Sequence, residues 1–414
     1  MPNDRNWSPG VKVLFRFVFV YVVLYTIPPP MGLLFQWNEY ISVLLWNPIV
    51  TWVGHHIFDK DITVLPNGSG DTTWNYVQIL VIATVAALAA IVWTAADRKR
   101  AHYDTLLLWF MILVRIYLGF EMLNYGLVKI VKIQFPYPST ETLATPVGQL
   151  SPTMLMWTFM GYSTAYNLFT GGAEVLGAIL LFFRRTTLLG ALITIGVMAN
   201  VVMLNVTYDV AVKLKAMHLL AMAILIVTPQ LKRLFDFFVL NKATEPEDIK
   251  PFFTSLRARR LYTLGKVALI LSMIIPFANG VNTARALAAG YSSEDNEVYE
   301  VEEQKFNGVT IPEQEVTRRW KKLLIQSKVC NLQYMDGAKV RWNFSYDTLA
   351  RTMNLISLDS GTAYRFQYAT SSDNLYLLKG KLDEDSIQVV MRKSTGNFAL
   401  VGHNFRWIQE HFGE

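Results

Sequence analysis

Apolar runs of membrane-spanning length recur through the first 290 residues, and no other feature constrains the fold as strongly. A helix needs about 20 mostly apolar residues to cross a bilayer. Seven stretches meet this requirement: 11–28, 76–96, 104–128, 160–183, 186–206, 213–230 and 262–282. Only 17% of the residues are charged, against about 25% in a typical soluble chain. The sequence therefore predicts an α-helical polytopic membrane bundle and excludes a wholly soluble or disordered chain.

The stretch 31–58, between the first two predicted spans, is less uniform. It is aromatic and apolar but also carries Glu39, Asn47, Pro48 and two histidines. This mixture favours interfacial helices over an eighth span. The first apolar run lacks a small-residue cleavage site, so we interpret it as a retained helix and not as a signal peptide.

The distribution of lysine and arginine predicts the orientation. If the N-terminus is cytoplasmic, most basic residues before position 291 fall on the cytoplasmic side, including those at 98–100 and 184–185. Cytoplasmic loops of membrane proteins carry such an excess. Seven crossings then place the C-terminal domain on the outer, extracytoplasmic side of the membrane. The basic charge is thus explained by topology, and we expect no nucleic-acid partner.

After residue 290 the pattern changes to alternating polar and apolar residues, which is typical of strands. Eight short runs, among them 320–326, 329–334 and 375–382, are separated by turn signals such as Asn307-Gly308, Asp336-Gly337 and Asp383-Glu384-Asp385. They predict an antiparallel β-barrel or β-sandwich. Its interior is either a ligand cavity or a core filled by side chains. The segment Phe405–Ile408 is predicted to plug one end.

Four domains follow from these patterns. They are N-terminal transmembrane helices with an external interfacial segment (1–99), a four-helix core (100–240), a cytoplasmic linker with the last span (241–290) and an extracytoplasmic β-domain (291–414). The single cysteine, Cys330, excludes an internal disulfide and a multi-cysteine metal cluster. No metal-binding motif is present in the sequence, so we predict no metal site.

Polar side chains of the third to sixth predicted spans converge on the outer leaflet. Ionisable groups are costly in a bilayer and usually face a cavity or a partner. The candidates are Glu121, Asn124, Tyr125, Lys129, Tyr162, Tyr166, Glu174, Asn205, Asp209, Lys213 and His218. Glu121, Tyr125 and Lys129 are four residues apart and share one helical face. We predict a shared polar site, with plain packing of His218 and snorkelling of Lys129 as the alternatives.

Several of these residues belong to a recognisable pattern. The pattern consists of Asn124–Lys129, Gln134-Phe135-Pro136, Gly161-Tyr162-Ser163, the glycines around Glu174, and Tyr208-Asp209-Val210 followed by His218. These segments resemble the signature of DoxX-like bacterial membrane proteins. The resemblance covers roughly residues 100–240 and implies a four-helix core. The whole chain is similar to long forms that carry an additional C-terminal β-domain.

The resemblance also implies a chemistry. Better-known members are described as small subunits of thiosulfate:quinone oxidoreductase and as partners in thiol-linked oxidative-stress complexes. A quinone is thus the implied cofactor, with Glu121, Lys129, Asp209 and His218 as the proton-handling residues. The implied ligand-binding residues are Asn124, Tyr125, Tyr162, Tyr166, Glu174, Asn205 and Lys213. The helical part contains no cysteine, so electrons would need a diffusible carrier or a redox partner protein.

Two functions remain open from the sequence. The first is a quinone-linked oxidoreductase, or a subunit of one. The second is a non-catalytic protein of the cell envelope that binds a lipid or small lipophilic molecule, or that assists assembly with an envelope partner. A transporter is less well supported, because the sequence shows no inverted repeat.

Overall fold

The computed structural model describes residues 6–26, 35–64, 69–245, 255–289, 296–326, 328–358, 360–371 and 374–394, with residues 398 and 400. The chain divides into two compact units. The helical unit comprises Met1–Ile133 and Ala165–Val281, and the barrel unit comprises Gln134–Thr164 and Asn282–Glu414. The predicted fold class, membrane-type helices with a C-terminal antiparallel β-domain, is confirmed. The segment Phe405–Ile408 lies outside the described residues.

The helical elements of the described chain are as follows, in chain order. They are α1 (Pro9–Tyr25), α2 (Phe35–Phe58), α3 (Thr73–Ala96), α4 (Asp104–Ile130), α5 (Thr140–Leu143), α6 (Pro152–Tyr162), α7 (Thr164–Phe182), α8 (Thr187–Thr207), α9 (Lys213–Val227), α10 (Leu231–Phe238) and α11 (Leu256–Ala289). Side-chain caps set several of the starts. Ser8 accepts from the backbone of Val11 before α1, and Thr72 forms a capping box with Asn75 before α3, which satisfies N–H groups that a helix leaves open.

Five helices of the described chain are long and apolar enough to span a bilayer. They are Thr73–Ala96, Asp104–Ile130, Thr164–Phe182, Arg184–Thr207 and Lys213–Phe238. The first predicted span corresponds to α1, which has only 17 residues, and the last lies within α11. The predicted span 160–183 begins at Thr164, because Ser163 has an extended backbone that separates α6 from α7.

The predicted interfacial segment contains one continuous helix, α2, of 24 residues with Pro48 inside it. Its buried side chains, Trp46 and Val50, pack with Trp74 and Val81 of α3. The indole of Trp74 donates a hydrogen bond of 3.0 Å to Asn47 Oδ1. Helix α2 is therefore anchored to α3 by apolar packing and by one polar contact.

Successive spans of the helical unit run in opposite directions and define two ends. At the basic end, Arg16 of α1 donates to Thr94 Oγ1 (2.8 Å), to the carbonyl of Asp97 (3.0 Å) and to Tyr103 Oη (2.7 Å). These contacts join the middle of α1 to the end of α3 and to Tyr103, the N-cap residue of α4. The opposite end, which we call the polar end, contains the last turn of α4 and the first turn of α9.

Two glycines allow α4 and α7 to touch backbone to backbone. A Cβ atom at Gly126 would lie 2.6 Å from the carbonyl oxygen of Gly171, and a Cβ at Gly171 would lie 2.7 Å from the carbonyl oxygen of Gly126. Small residues permit such close approach in membrane helices, where packing rather than the hydrophobic effect drives association. This glycine crossing fixes the spacing of the side chains one turn further on.

Gly171→Ala is expected to lower the free energy of unfolding by about 1–3 kcal/mol, because the added methyl group forces the two backbones apart. Gly172→Ala is the matched control, since a Cβ there meets nothing within 4 Å and alanine has the higher helix propensity. Thermal unfolding of both variants in the same detergent measures the difference. Equal stability of the two would show that the crossing tolerates a wider spacing.

The barrel unit contains an eight-stranded antiparallel barrel with one short additional strand. The strands are β1 (Asn296–Phe306), β2 (Val309–Thr310), β3 (Trp320–Gln326), β4 (Val329–Tyr334), β5 (Lys339–Asp347), β6 (Thr352–Ser357), β7 (Ala363–Thr370), β8 (Leu375–Leu382) and β9 (Asp385–Ser394). Neighbouring strands pair in the order β2-β1-β3-β4-β5-β6-β7-β8-β9, and pairing of β1 with β9 closes the ring. Of the two predicted β-architectures, the barrel is the one formed.

Side chains from all eight strands of the ring fill its interior. The largest fully buried ones are Trp320, Phe366, Leu323 and Leu332, and they belong to one continuous cluster with Trp342, Met353, Leu355, Leu378 and Val389. An eight-stranded ring is just wide enough for side chains to fill. The described interior is thus a packed core.

Residues 134–164 contain α5 and α6 and belong to the barrel unit, although they lie in the middle of the predicted four-helix core. Glu141 of α5 forms an ion pair with Lys339 of β5 and accepts a hydrogen bond from Asn331 of β4 at 3.4 Å. The compact units divide on either side of residues 134–164 and again between Val281 and Asn282, and the four predicted domains stay predictions.

Candidate functional site

The first element of the candidate site is an ion pair between α4 and α9. Lys215 Nζ lies 2.8 Å from Glu121 Oε2, and Glu121 is only 6% exposed. Charged side chains are rarely buried without a partner. The two helices pack side by side and contribute buried apolar side chains such as Leu118 and Leu219 to one core, while the Lys215 side chain remains 35% exposed.

The second element is an ion pair between Lys129 of α4 and Glu174 of α7, and both side chains are almost fully buried. Each residue follows its crossing glycine, Gly126 or Gly171, by three positions. The glycine crossing therefore brings the two helices close enough for their side chains to meet. Glu174 Oε2, the oxygen that does not contact Lys129, is buried with no hydrogen-bond partner among the described residues.

Tyr125 connects the two ion pairs. Its ring centroid lies 5.6 Å from Lys129 Nζ and 5.5 Å from Lys215 Nζ, within the range of cation–π attraction. Glu121, Tyr125, Lys129, Glu174 and Lys215 form one group, which we call the acid–lysine cluster. It contains two carboxylates and two ammonium groups, so the charges of the cluster balance inside the helical unit.

His218 of α9 lies beside the acid–lysine cluster and contacts α1. Its Nδ1 is 2.7 Å from the carbonyl oxygen of Leu214, which can only accept, so Nδ1 carries the proton. Nε2 lies 2.6 Å from Tyr21 Oη, and the phenol donates to it in the neutral imidazole. The ring of Tyr25 stacks on the imidazole with centroids 4.2 Å apart. This arrangement holds a neutral histidine in one tautomer.

Asp71 organises the start of α9 at the polar end. Its two carboxylate oxygens accept hydrogen bonds from the backbone N–H groups of Lys213 (2.7 Å) and Leu214 (2.9 Å). A carboxylate is favoured at a helix N-terminus, where the open N–H groups concentrate positive partial charge. Asp71 thus fixes the position from which Lys215 and His218 extend into the unit.

Asp209 and Lys213 lie at the rim of the polar end. The two form an ion pair, with Lys213 Nζ 2.7 Å from Asp209 Oδ1, but the Asp209 side chain is 82% exposed. Asn205 Nδ2 donates to the carbonyl of Val212 at 3.4 Å, which closes the α8–α9 turn. These three residues hold the turn and are not part of the acid–lysine cluster.

The remaining predicted residues are dispersed. Asn124 is half-buried and makes no side-chain hydrogen bond within the described chain. Tyr166 is 37% exposed and packs its ring against Phe169. Tyr162 is half-buried in the barrel unit. The structure thus brings Glu121, Tyr125, Lys129 and Glu174 together, with His218 adjacent.

Four residues at the site are not among the candidates predicted from the sequence: Lys215, Asp71, Tyr21 and Tyr25. Lys215 and His218 are three residues apart on α9 and share a face. Tyr21 and Tyr25 show the same kind of spacing on α1. This spacing predicts that each pair of residues lies on one face of its helix. It does not predict which other helix packs against that face. Within the described residues, no group of three or more His, Cys, Asp or Glu side chains is arranged to hold a metal ion.

Together, these features define a class: a polytopic helical membrane protein with a buried, charge-balanced cluster and an attached, closed β-barrel. No family model matches the chain, and no solved structure matches it. A stretch of 124 residues, 30% of this chain, is 33% identical to the uncharacterized protein YwoB of Bacillus subtilis (strain 168) and covers 79% of YwoB. The chain belongs to the same family as YwoB.

Proposed function

We propose that the helical unit binds a quinone-type lipophilic ligand next to the acid–lysine cluster and handles protons for a quinone-linked redox reaction. The observation that carries this proposal is the pairing of two buried carboxylates, Glu121 and Glu174, with the buried Lys129 and the partly exposed Lys215 within membrane-type helices. Ionisable side chains in such positions commonly mark proton relays and ligand sites. The resemblance to DoxX-like proteins supports the same assignment.

The side chains of the cluster suit the groups of a quinone. Its ring carbonyls accept hydrogen bonds, and Lys129, Lys215 and Tyr125 are N–H and O–H donors. A bound quinone would supply a two-electron acceptor that also takes up two protons. The electrons would come from a diffusible donor or from a redox partner protein, because the only cysteine of the chain is in the barrel unit.

The residues of the chain would provide the protons. Glu174 is the natural proton carrier, because its buried Oε2 has no hydrogen-bond partner in the described part of the chain and protonation would give that oxygen a donor. Lys129 retains its contact with Oε1. Glu121 and Lys215 form an equivalent pair on the other side of Tyr125. The hydrogen-bonded Tyr21 and His218 offer a route for protons between the cluster region and α1.

A short-chain quinone assay of the purified protein tests this proposal, with thiosulfate or a dithiol as the electron donor. Glu121→Gln and His218→Ala are expected to lower the rate by about 100-fold, the typical contribution of a proton-transferring side chain. Asp209→Asn, at the exposed rim, is the matched control and is expected to leave the rate unchanged. Equal rates in all four proteins would reject the redox function.

A non-catalytic role in binding a lipid or small molecule is the second candidate. The pairing of both lysines with carboxylates favours it, because a charge-balanced cluster needs no turnover to be stable. Native mass spectrometry after mild detergent extraction distinguishes the two candidates: a retained lipophilic ligand without quinone-dependent activity would select the second. Absence of both a retained ligand and activity would reject both.

The proposed orientation places the basic end in the cytoplasm and the polar end near the outer face of a bacterial inner membrane. The excess of lysine and arginine in the predicted cytoplasmic loops supports it. With seven crossings, the β-barrel would be periplasmic. A redox or envelope protein would then meet the chain on that side.

A further inference from the structure

A second polar feature lies at the basic end of the helical unit, on the opposite side from the acid–lysine cluster. It is a cavity of about 700 Å³ whose lining includes Arg115, Arg184, Arg185, Arg233 and one acidic residue, Asp104. The carboxylate of Asp104 is engaged elsewhere: Trp7 Nε1 donates to it at 2.9 Å, and His102 Nδ1 lies 3.0 Å away. The cavity is therefore strongly basic, and its volume suits a small ligand.

Arg115 distinguishes this cavity from a basic patch on the surface, because its side chain is buried. The residue lies within α4 and is only 5% exposed. It donates to Thr187 Oγ1 at 3.4 Å and to Tyr262 Oη at 3.2 Å, and its Nε is buried without a hydrogen-bond partner. No carboxylate of the described chain lies within ion-pair distance of it. A buried guanidinium in a membrane helix is costly without a counter-charge, so the site is built for an anion.

The other walls of the cavity are apolar. Leu108, Met111, Leu189 and Ile226 line it between the arginines. Arg115 lies about three turns after Asp104, or about 16 Å along the helix axis. A cavity that combines guanidinium groups with aliphatic walls suits an amphiphile better than a small inorganic anion.

Helix α10 indicates where this amphiphile comes from. The helix contributes Arg233 to the cavity, and the side chains of Leu231, Phe235, Phe237 and Phe238 are all exposed. A short helix with exposed apolar residues and Lys or Arg on its other face is typical of helices that lie in the membrane interface. The mouth of the cavity, where Arg233 lies, is thus at the depth of lipid headgroups, and Arg115 lies deeper along α4.

We infer that the cavity binds the phosphate group of an anionic phospholipid through Arg115, Arg185 and Arg233. Guanidinium groups recognise phosphate oxygens by paired, charge-assisted hydrogen bonds. The N-terminal end of α8 adds to this preference, because Thr187, its first residue, lines the cavity and the positive end of a helix dipole favours an anion. The lipid then supplies the counter-charge that Arg115 lacks.

Native mass spectrometry of the full-length protein in detergent tests this inference. The probes are phosphatidylglycerol, phosphatidylcholine and inorganic phosphate, each titrated separately. Phosphatidylglycerol is expected to bind at least about 10-fold more tightly than phosphatidylcholine. The Arg115→Gln substitution is expected to lower the affinity for phosphatidylglycerol about 10-fold. Arg257→Gln is the matched control, because Arg257 is an exposed arginine at the start of α11 that does not line the cavity.

Two results would overturn the inference. One is equal binding of the two phospholipids, or a loss with Arg257→Gln as large as that with Arg115→Gln. The other is saturable binding of inorganic phosphate without selective binding of phosphatidylglycerol, which would assign the arginines to a soluble phosphate compound. If Arg115→Gln fails to fold, the half-buried Arg233→Gln gives the same test, because it changes the cavity from the short helix α10.

Discussion

Replacing Lys129 with methionine is expected to lower the free energy of unfolding by about 3–5 kcal/mol, the cost of leaving one charge of a buried pair uncompensated. Glu174 is 1% exposed, so water cannot replace the lost ammonium group. Chemical or thermal unfolding in detergent, followed by circular dichroism, measures the change. Breaking an exposed ion pair is expected to cost less, because solvent screens exposed charges.

Two further variants identify the cause. The double variant Lys129→Met, Glu174→Leu removes both charges and is expected to recover most of the stability, since a buried pair is often replaced by apolar residues without loss. Asp209→Asn removes one partner of the exposed rim pair and is expected to cost less than about 1 kcal/mol. A double variant no more stable than the single one would mean that the pair does not stabilise the helices by charge compensation.

The thiol of Cys330 is expected to react roughly 1,000-fold more slowly with a maleimide at pH 8 than an ordinary exposed thiol, because only the thiolate reacts. Cys330 lies fully buried in the barrel core, and burial raises the pKa of its thiol from 9.0 to about 12. Mass spectrometry counts the labels before and after denaturation. The unmodified protein should take up one label only when denatured.

Leu349→Cys provides the internal control, because Leu349 lies in the barrel unit and is 98% exposed. The variant should carry one label in the native state and two after denaturation. The raised pKa also has a consequence for stability. The neutral thiol is favoured by the folded state, so this contribution is complete below about pH 9 and decreases as the pH rises toward 12. Rapid native labelling of Cys330 would contradict the packed barrel core.

The sequence predicted the barrel strands well because their signals are local. The predicted bounds of β3, β4 and β8 coincide with those of the structure. A strand with one buried face alternates with period two, whatever its neighbours are. The predicted turns also contain the residues that the geometry needs: Asn307, Gly337 and Asp383 all adopt positive φ, which asparagine, aspartate and glycine tolerate.

The candidate site was only partly predictable because its assembly is not local. The four-residue spacing predicted that Glu121, Tyr125 and Lys129 share a face of α4. The choice of Lys215 as the partner of Glu121, and of Tyr21 as the partner of His218, depends on how separate helices rotate and pack. The break at Ser163 was missed for a similar reason, since residues 152–162 are as apolar as the span that follows.

Closure of the barrel by β1 and β9 has a consequence for synthesis of the chain. The pairing joins residues 298–306 to residues 387–394, so the ring cannot close until residues 387–394 have left the ribosome. A chain that stops before residue 385 would expose two unpaired strand edges, which invite association with other chains. Premature termination near the C-terminus should therefore yield aggregation-prone protein rather than a slightly shorter barrel.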